Sequence, residues 1–217
     1  MNRYVVILGA AAIFVMSLFG FYELASDVNT SVAVARFDES MTRRVQSWRR
    51  PALDALMKVI TWSAGIFGMT VLGFGLFFYL RHMGRSPEAT ATAVLVLGGV
   101  ALSDVLKRIL QRVRPEEALA LIKTPVSSSF PSGHSMTSFC WSVAAIQAIL
   151  LAPFAPPVAK ALVAVLCVLY ALAVGVSRVY LGVHYPSDVV AAWLLGIAWM
   201  SVVTGVYYWQ RTSNAAR

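Results

Sequence analysis

A short polar stretch, residues 177–188, places a cation, an imidazole and a carboxylate between two long apolar segments. Charged side chains at the edge of a lipid-solvated region are costly, so they indicate a functional site. Asp188 follows His184 by four residues, and if a helix starts near Tyr185 its carboxylate reaches back to the imidazole. Such a partner fixes the tautomer and makes the other ring nitrogen a better base or nucleophile. Arg178 adds a planar guanidinium that matches phosphate oxygens.

Two further groups of polar residues lie at the ends of other apolar segments. They are Lys107, Arg114 and Pro115 in one group and Pro131, Ser132, Gly133 and His134 in the other. Ser132 and Gly133 precede an apolar helix, whose N-terminal N–H groups bind anions, and glycine lets the backbone approach closely. Ser132 also fits an ordinary helix cap, and a capped N-terminus is still an anion site. His134 lies in the first turn, so together with His184 it suggests an acid and a nucleophile.

Lys107 and Arg114 are seven residues apart, or two helical turns, which predicts that they share one helix face with Asp104 and Gln111. Asp104 precedes Lys107 by one turn and is expected to hold it in place. Snorkelling to the membrane interface is expected of the other cations in this stretch, Arg108 and Arg112. The shared face alone is equally compatible with snorkelling, and the neighbouring group at 131–134 favours a phosphate-binding pair.

In chain order the three groups read Lys-x6-Arg-Pro, then Pro-Ser-Gly-His, then Ser-Arg-x5-His-x3-Asp. This ordered triple resembles the motifs of the type 2 phosphatidic acid phosphatase family, which also includes soluble vanadium haloperoxidases. The resemblance covers residues 107–188 and shows no departure at a motif position. It implies hydrolysis of the phosphomonoester or pyrophosphate of a lipid, without a metal or other cofactor.

The residues themselves suggest the same roles that the resemblance implies. His184 attacks phosphorus and becomes a phosphohistidine, while Asp188 orients it and stabilises its positive form. His134 protonates the leaving oxygen and then activates water. The phosphate oxygens are held by Lys107, Arg114, Ser132, Gly133 and Arg178. No carboxylate cluster is available for Mg²⁺, and Cys140 and Cys167 are expected to be buried reduced thiols rather than metal ligands.

The composition is typical of a membrane protein, because 59% of the 217 residues are hydrophobic and only 13% are charged. A helix that crosses a bilayer needs roughly 20 residues. Five uncharged stretches approach that length, and they are 4–22, 59–80, 135–159, 161–177 and 189–209. A sixth, 89–103, is long enough only if it continues to about residue 110. We therefore predict an all-α, polytopic protein with six transmembrane helices, one domain over residues 1–217 and both termini on the same side. The first stretch is longer than a signal-peptide core, so we expect it to be retained.

Residues 31–60 differ from these stretches because apolar and charged residues alternate at helical spacing. Apolar residues recur every three or four positions at Val34, Phe37, Met41, Val45 and Trp48. The other face is expected to carry the charged residues, which are Arg36, Asp38, Glu39, Arg43 and Arg44. This pattern predicts an interfacial amphipathic helix between the first and second spans, with a solvated connector as the alternative. Pro51 fits the first position of a short helix that runs into the second span.

The formal net charge is +8, but Lys and Arg are not gathered in a soluble basic domain, which argues against nucleic acid as a partner. Anionic headgroups and a phosphate substrate suit these cations better. Twelve of the 18 Lys and Arg residues are predicted to lie on the side of the site. The six predicted on the other side are Arg3, Arg81, Arg85, Lys160, Arg211 and Arg217. The positive-inside rule would therefore place the site in the cytoplasm. Because many of the twelve have candidate roles, we follow the resemblance, which implies the extracytoplasmic face of the cell membrane.

Site residues at the membrane boundary suit a substrate whose phosphate lies at headgroup level while its tails stay in lipid. Phosphatidic acid, phosphatidylglycerol phosphate and undecaprenyl pyrophosphate all fit, and analogy favours the last of these. A transporter is an alternative, although the charges cluster at one edge and the midplane is apolar. A non-catalytic lipid-binding protein is another, although both histidines are present. The residues leave the particular substrate and the oligomeric state open.

Overall fold

The structure, a computed structural model, describes residues 3–214, and every regular element in that range is a helix. The all-α class is therefore confirmed. Arg217, one of the cations counted above, lies outside the described residues. The α-helices of the described range are α1 (Arg3–Asp27), α2 (Val32–Gln46), α3 (Pro51–Ser63), α4 (Ile66–His82), α5 (Ser86–Leu110), α6 (Gly133–Leu150), α7 (Pro157–Tyr180) and α8 (Pro186–Asn214), and a 3-10 turn covers Glu117–Leu119.

Four of these helices, α1, α5, α7 and α8, are each long and apolar enough to cross a membrane. α3 and α4 together supply a fifth candidate, although they are bent by 54° at their junction. The remaining predicted span corresponds to α6, which has 18 residues and a polar first turn. Its serines at 135, 138 and 142 are buried among neighbouring helices, so these polar groups do not lie on the surface of the bundle. Length and composition thus support four or five of the six predicted spans.

The centre of the bundle is α6, which contacts α4, α5, α7 and α8, while α1 packs along α8. Close packing occurs where a glycine meets a large side chain. A Cβ atom at Gly196 would lie 2.5 Å from the ring of Phe139, and one at Gly175 would lie 2.5 Å from Trp193. These glycines bring α8 against α6 and α7. Because α5 and α7 end where α6 and α8 begin, four helix termini meet at one end of the bundle.

The second predicted span, residues 59–80, is interrupted by the junction between α3 and α4. A Cβ atom at Gly68 would overlap the carbonyl oxygen of Ser63, so the sharp turn requires glycine there. Pro51 opens α3 at its first position, as predicted. The bend brings Thr61, near the end of α3, into contact with the last turn of α7.

The amphipathic segment forms α2, but the predicted division of its faces is wrong. Val34 and Val45 pack against the protein core rather than against lipid. Asp38, predicted on the solvated face, is only 1% exposed, because it lies one turn after Val34 and shares its face. Phe37 and Glu39 are exposed on opposite flanks of this buried face. The periodicity identifies the helix, whereas the neighbouring elements decide which face is covered.

We predict that α2 lies at the membrane surface, with the Phe37 flank among lipid headgroups and the Glu39 flank in water. The two positions are about 200° apart around the helix axis. Nitroxide labels at each position in proteoliposomes test this through their accessibility to oxygen and to a water-soluble relaxation agent. The label at Phe37 should be more accessible to oxygen, and the label at Glu39 should be more accessible to the water-soluble agent. Bulk-water exposure of the label at Phe37 would contradict this placement.

Candidate active site

The turn between α7 and α8 presents His184 at the end of the bundle where the helix termini meet. Gly182 has a φ of +77°, a conformation that glycine adopts without strain. The N–H groups of Gly182 and Val183 donate to the carbonyl oxygens of Val179 and Arg178 at 3.0 and 3.2 Å. This pair of bonds is a Schellman motif, which ends α7 and sets the direction of the turn that contains His184.

Asp188 lies in the first turn of α8, three residues after Tyr185 and four after His184. Its Oδ2 atom accepts the backbone N–H of Tyr185 at 2.9 Å, as the acidic residue of a capping box does. The same oxygen lies 3.2 Å from Nδ1 of His184. This is the contact expected from the four-residue spacing. With Nδ1–H donating to the carboxylate, the lone pair of His184 is on Nε2.

Two predicted cations meet near Nε2 of His184. Nζ of Lys107 donates to the carbonyl oxygen of Ser128 at 2.8 Å, and Nη2 of Arg114 donates to the same oxygen at 3.1 Å. Nη1 of Arg114 lies 3.2 Å from Nε2 of His184. The predicted shared helix face is wrong, because α5 ends before Gln111, whose φ is +44°. Arg114 therefore reaches the site from the loop after α5.

A cavity of about 950 Å³ opens beside Lys107 and Arg114. Its wall consists of the end of α5 and the loop segments 111–117 and 124–128. Asp104 lines this cavity, but Lys107 donates to a backbone carbonyl instead of to Asp104. The predicted role of Asp104 in holding Lys107 is therefore not seen, while the cavity gives an anion access to both cations.

The N-terminus of α6 faces the same cations. Ser132 is the N-cap residue of α6, and its N–H donates to a carbonyl oxygen of α8 at 3.0 Å. A Cβ atom at Gly133 would lie 3.7 Å from Cε of Lys107, so the helix starts next to that cation. His134 follows in the first turn, and its Nε2 is 3.7 Å from where a Cβ atom of Gly65 would lie. The first N–H groups of α6 are thus placed to bind an anion beside Lys107 and His134.

Arg178, in the last turn of α7, is 2% exposed. Its Nη1 donates a short hydrogen bond to Oγ1 of Thr61. Among residues 3–214, no acceptor bonds to its buried Nε. A buried guanidinium N–H without an acceptor is destabilising, so this group suits an anionic ligand. Sequence reasoning missed Thr61, because a single threonine in an apolar stretch has no distinctive pattern.

Burial lowers the pKa of His184 well below its usual range, and the positive charges of Arg178, Lys107 and Arg114 lower that pKa further. The imidazole is therefore neutral near pH 7. A neutral imidazole keeps the lone pair that a nucleophile requires. Burial and the cations that suit phosphate thus both keep this histidine unprotonated.

Arg112 is buried, so the prediction that it snorkels to the interface is wrong, whereas Arg108 is exposed. The guanidinium of Arg112 bridges two carboxylates, with Nη1 2.5 Å from Oδ1 of Asp188 and Nη2 2.7 Å from Oδ2 of Asp38. Sequence reasoning missed both Arg112 and Asp38. One usable signal existed, since Asp38 lies on the same face of α2 as Val34, where an unpaired carboxylate would be costly.

Apolar helices that gather two histidines, several cations and an anion-binding helix terminus at one end form a site suited to phosphoryl transfer at a membrane surface. The PAP2 superfamily profile matches residues 88–212. Phosphatidylglycerophosphatase B of Bacillus subtilis is 36% identical over 197 residues, which cover 88% of this chain and 93% of that protein. The chain belongs to the PAP2 superfamily, and its apolar helices are those of a multi-pass membrane protein.

Two further comparisons agree with this family. An undecaprenyl-diphosphatase of Sulfolobus acidocaldarius is 33% identical over 109 residues, or 48% of each chain. The crystal structure of a transmembrane PAP2-type phosphatidylglycerolphosphate phosphatase from Bacillus subtilis aligns with a TM-score of 0.76 and 31% identity, covering 89% of this chain and 94% of that one. The bundle is therefore shared over nearly its whole length with a solved membrane phosphatase.

We predict that Thr61→Val weakens phosphate binding, because Arg178 loses the hydroxyl that holds its Nη1. A hydrogen bond to a charged group contributes about 1.5–3 kcal/mol, so KM for a short-chain lipid phosphate should rise about tenfold or more. Steady-state kinetics in detergent measure this change. Thr70→Val is the matched control, since the Thr70 hydroxyl bonds to the carbonyl of Ile66 in its own helix. Equal KM and kcat in the two variants would contradict the positioning role of Thr61.

Proposed function

We propose that this protein is a membrane lipid phosphatase that works through a phosphohistidine at His184. The observation that carries the proposal is the position of His184 between the carboxylate of Asp188 and the cations beside the cavity. A histidine with an acidic partner on Nδ1 and a cation at Nε2 is arranged for attack on phosphorus. Membership of the PAP2 superfamily supports the same chemistry.

Substrate binding is the first step of the proposed reaction. Five groups bind the phosphate oxygens: Lys107, Arg114, Arg178, Ser132 and the N–H of Gly133. Arg114 exchanges its contact with Nε2 of His184 for one with a phosphate oxygen, which frees the lone pair. The cations supply the positive charge that a metal ion supplies in other phosphatases, so the proposed reaction is independent of metals.

Phosphoryl transfer follows in two chemical steps. Nε2 of His184 attacks phosphorus in line with the leaving oxygen, so the N–P bond forms as the P–O bond breaks. His134, protonated beside the bound phosphate, gives its proton to the leaving oxygen and becomes neutral, and Asp188 stabilises the positive charge on the imidazole of His184. In the second step, neutral His134 removes a proton from water, which attacks phosphorus. The N–P bond then breaks, releasing inorganic phosphate and regenerating His184.

We also propose that α6 and the bent α3–α4 pair cross the membrane, which gives six spans and places both termini opposite the site. α6 is enclosed by four helices, so it need not be apolar on every side. The site would face the extracytoplasmic side of the cell membrane, as the family resemblance implies. The positive-inside rule is a poor guide here, because many cations on the site side bind phosphate or carboxylates.

Phosphatidylglycerol phosphate is the first substrate to test, because a relative that matches over most of both chains is a phosphatidylglycerophosphatase. Undecaprenyl pyrophosphate and phosphatidic acid are the alternatives. Each of the three holds a phosphate at headgroup level above an apolar tail, which suits a cavity at the end of α5. Values of kcat/KM for the three lipids in mixed micelles would rank them.

The transporter interpretation requires charged groups along a path through the membrane. The buried charged residues of the described range instead cluster at one end, and they are Asp38, Lys107, Arg112, Arg178 and Asp188. This clustering favours an enzyme over a transporter.

We predict that His184→Ala prevents formation of a phosphoenzyme, because the attacking nitrogen is lost. His134→Ala should slow hydrolysis of a lipid phosphate about 10²–10⁴-fold, and less with a nitrophenyl phosphate, whose leaving group needs no proton. Asp188→Asn should leave the fold intact but slow the attack, because His184 loses its anionic partner. The measurement is a denaturing quench during turnover of radiolabelled substrate.

An acid-labile, base-stable label in the wild type that is absent from His184→Ala would support these roles. A label that persists in His184→Ala and disappears only in His134→Ala would show that the two histidines have the opposite roles. Inversion of configuration at phosphorus in the wild type would rule out the phosphohistidine and leave direct attack by water, because two successive in-line displacements give retention.

We predict that EDTA leaves phosphate release unchanged, since side-chain cations stabilise the transition state. Orthovanadate should inhibit, because it mimics the trigonal bipyramidal phosphoryl group and would bind at Nε2 of His184. Phosphate release from short-chain substrate in detergent checks both results. Activity that is lost in EDTA and restored by Mg²⁺ would contradict the mechanism.

A further inference from the structure

We infer that Asp38 and Arg112 are positioning residues for the nucleophile, and that they make α2 part of the catalytic centre. Both act through Asp188, which orients His184. The inference rests on the function proposed above, in which His184 attacks phosphorus. It assigns to α2 a role beyond that of an interfacial helix.

A chain of hydrogen bonds joins α2 to the nucleophile. Nη1 of Arg112 donates to Oδ1 of Asp188 at 2.5 Å, and Nη2 donates to Oδ2 of Asp38 at 2.7 Å. The other oxygen of Asp188, Oδ2, lies 3.2 Å from Nδ1 of His184. The two oxygens of Asp188 thus have separate partners. Arg112 holds one oxygen and thereby keeps the other directed at His184.

Ser187 completes this network from α8. Its hydroxyl accepts a hydrogen bond from Nη1 of Arg112 at 2.7 Å and donates one to Oδ2 of Asp38 at 2.6 Å. Its backbone N–H donates to Oδ1 of Asp38 at 2.9 Å. The carboxylate of Asp38 is therefore bound at the N-terminus of α8, where the helix dipole stabilises a negative charge. A side chain of α2 fixes the helical turn that contains Asp188.

Burial makes these residues depend on one another. The side chains of Asp38, Arg112 and Asp188 are 2%, 7% and 0% exposed. Burial by itself would lower the pKa of Arg112, but the charge of Asp188 and the hydrogen bonds with both carboxylates outweigh burial and raise that pKa. One guanidinium serves two carboxylates, so removing either partner leaves an imperfectly compensated charge beside the nucleophile.

The backbone of Arg112 also connects the network to the phosphate-binding cations. Its carbonyl oxygen accepts the hydroxyl of Ser128 at 3.2 Å, and the carbonyl oxygen of Ser128 accepts from Lys107 and Arg114. A change at Arg112 would therefore disturb the cations as well as the nucleophile. The carboxylate of Asp38 bonds to the side chain of Arg112 and to Ser187, and within residues 3–214 it has no recorded bond to Lys107 or Arg114, which makes it the cleaner position for a test.

The test is Asp38→Asn in the full-length protein, with Glu39→Gln as the matched control, because Glu39 is the exposed neighbouring carboxylate. Rapid quench with radiolabelled nitrophenyl phosphate gives two readouts. The burst amplitude counts competent sites, and the burst rate measures attack by His184. We expect Asp38→Asn to lower the rate about 10–100-fold at normal amplitude, with Glu39→Gln unchanged. A merely structural role would lower the amplitude and leave the rate unchanged.

A double-mutant cycle tests whether Asp38 acts through Asp188. In an Asp188→Asn background, Asp38→Asn should change the rate less than about threefold, because the residue that transmits its effect is already altered. Ser187→Ala removes only the hydroxyl between Arg112 and Asp38, and it should lower the rate about threefold to tenfold. If Asp38→Asn does not yield folded protein, Ser187→Ala is measured in its place.

Wild-type rates in both Asp38→Asn and Ser187→Ala would overturn the inference. The inference would also be overturned if Asp38→Asn lowered the burst rate by the same factor in the Asp188→Asn background as in the wild type, because Asp38 and Asp188 would then act independently. Inversion of configuration at phosphorus in the wild type would overturn the proposed function instead, so the two failures are distinguishable.

Discussion

The carboxylate of Asp188 is buried away from water, and its need for hydrogen-bond partners is the constraint on which the rest of the site depends. It accepts hydrogen bonds from the backbone of Tyr185 and the guanidinium of Arg112, and it contacts Nδ1 of His184. Its own backbone carbonyl accepts the N–H of Ser132. A buried charge is tolerated only with partners of this kind. The loop after α5, the start of α6, the turn before α8 and, through Arg112, α2 therefore have to meet at this residue.

Helix direction supplies much of the electrostatic character of the site. α5 and α7 end there, and the negative ends of their dipoles are offset by Lys107 and Arg178 in their last turns. α6 begins there, and its first N–H groups are directed toward the space beside Lys107. An alternating up-and-down bundle thus places cations and anion-binding N–H groups at one end without a separate binding domain.

The charges of the site are separated into two layers around His184. On the Nε2 side lie the cations beside the cavity, which suit a phosphate group. On the Nδ1 side lie the carboxylates of Asp188 and Asp38, held together by Arg112. Burial and the cations together lower the pKa of His184 and keep the imidazole neutral, and the carboxylate of Asp188 contacts its Nδ1 atom from the opposite side. The separation fits the phosphatase chemistry of the PAP2 superfamily.

The sequence by itself determined the features that depend on local spacing: the apolar helices, the start of α3 at Pro51, and the reach of Asp188 back to His184 over one helical turn. Local spacing misled where a helix ended early, since Arg114 reaches Lys107 from a loop and not along a shared face. Only the tertiary structure decided the partners of Arg112 and Arg178, because Asp38 and Thr61 lie 74 and 117 residues away in the chain. Periodicity shows that a helix has a buried face, but which charge that face meets depends on how distant segments pack.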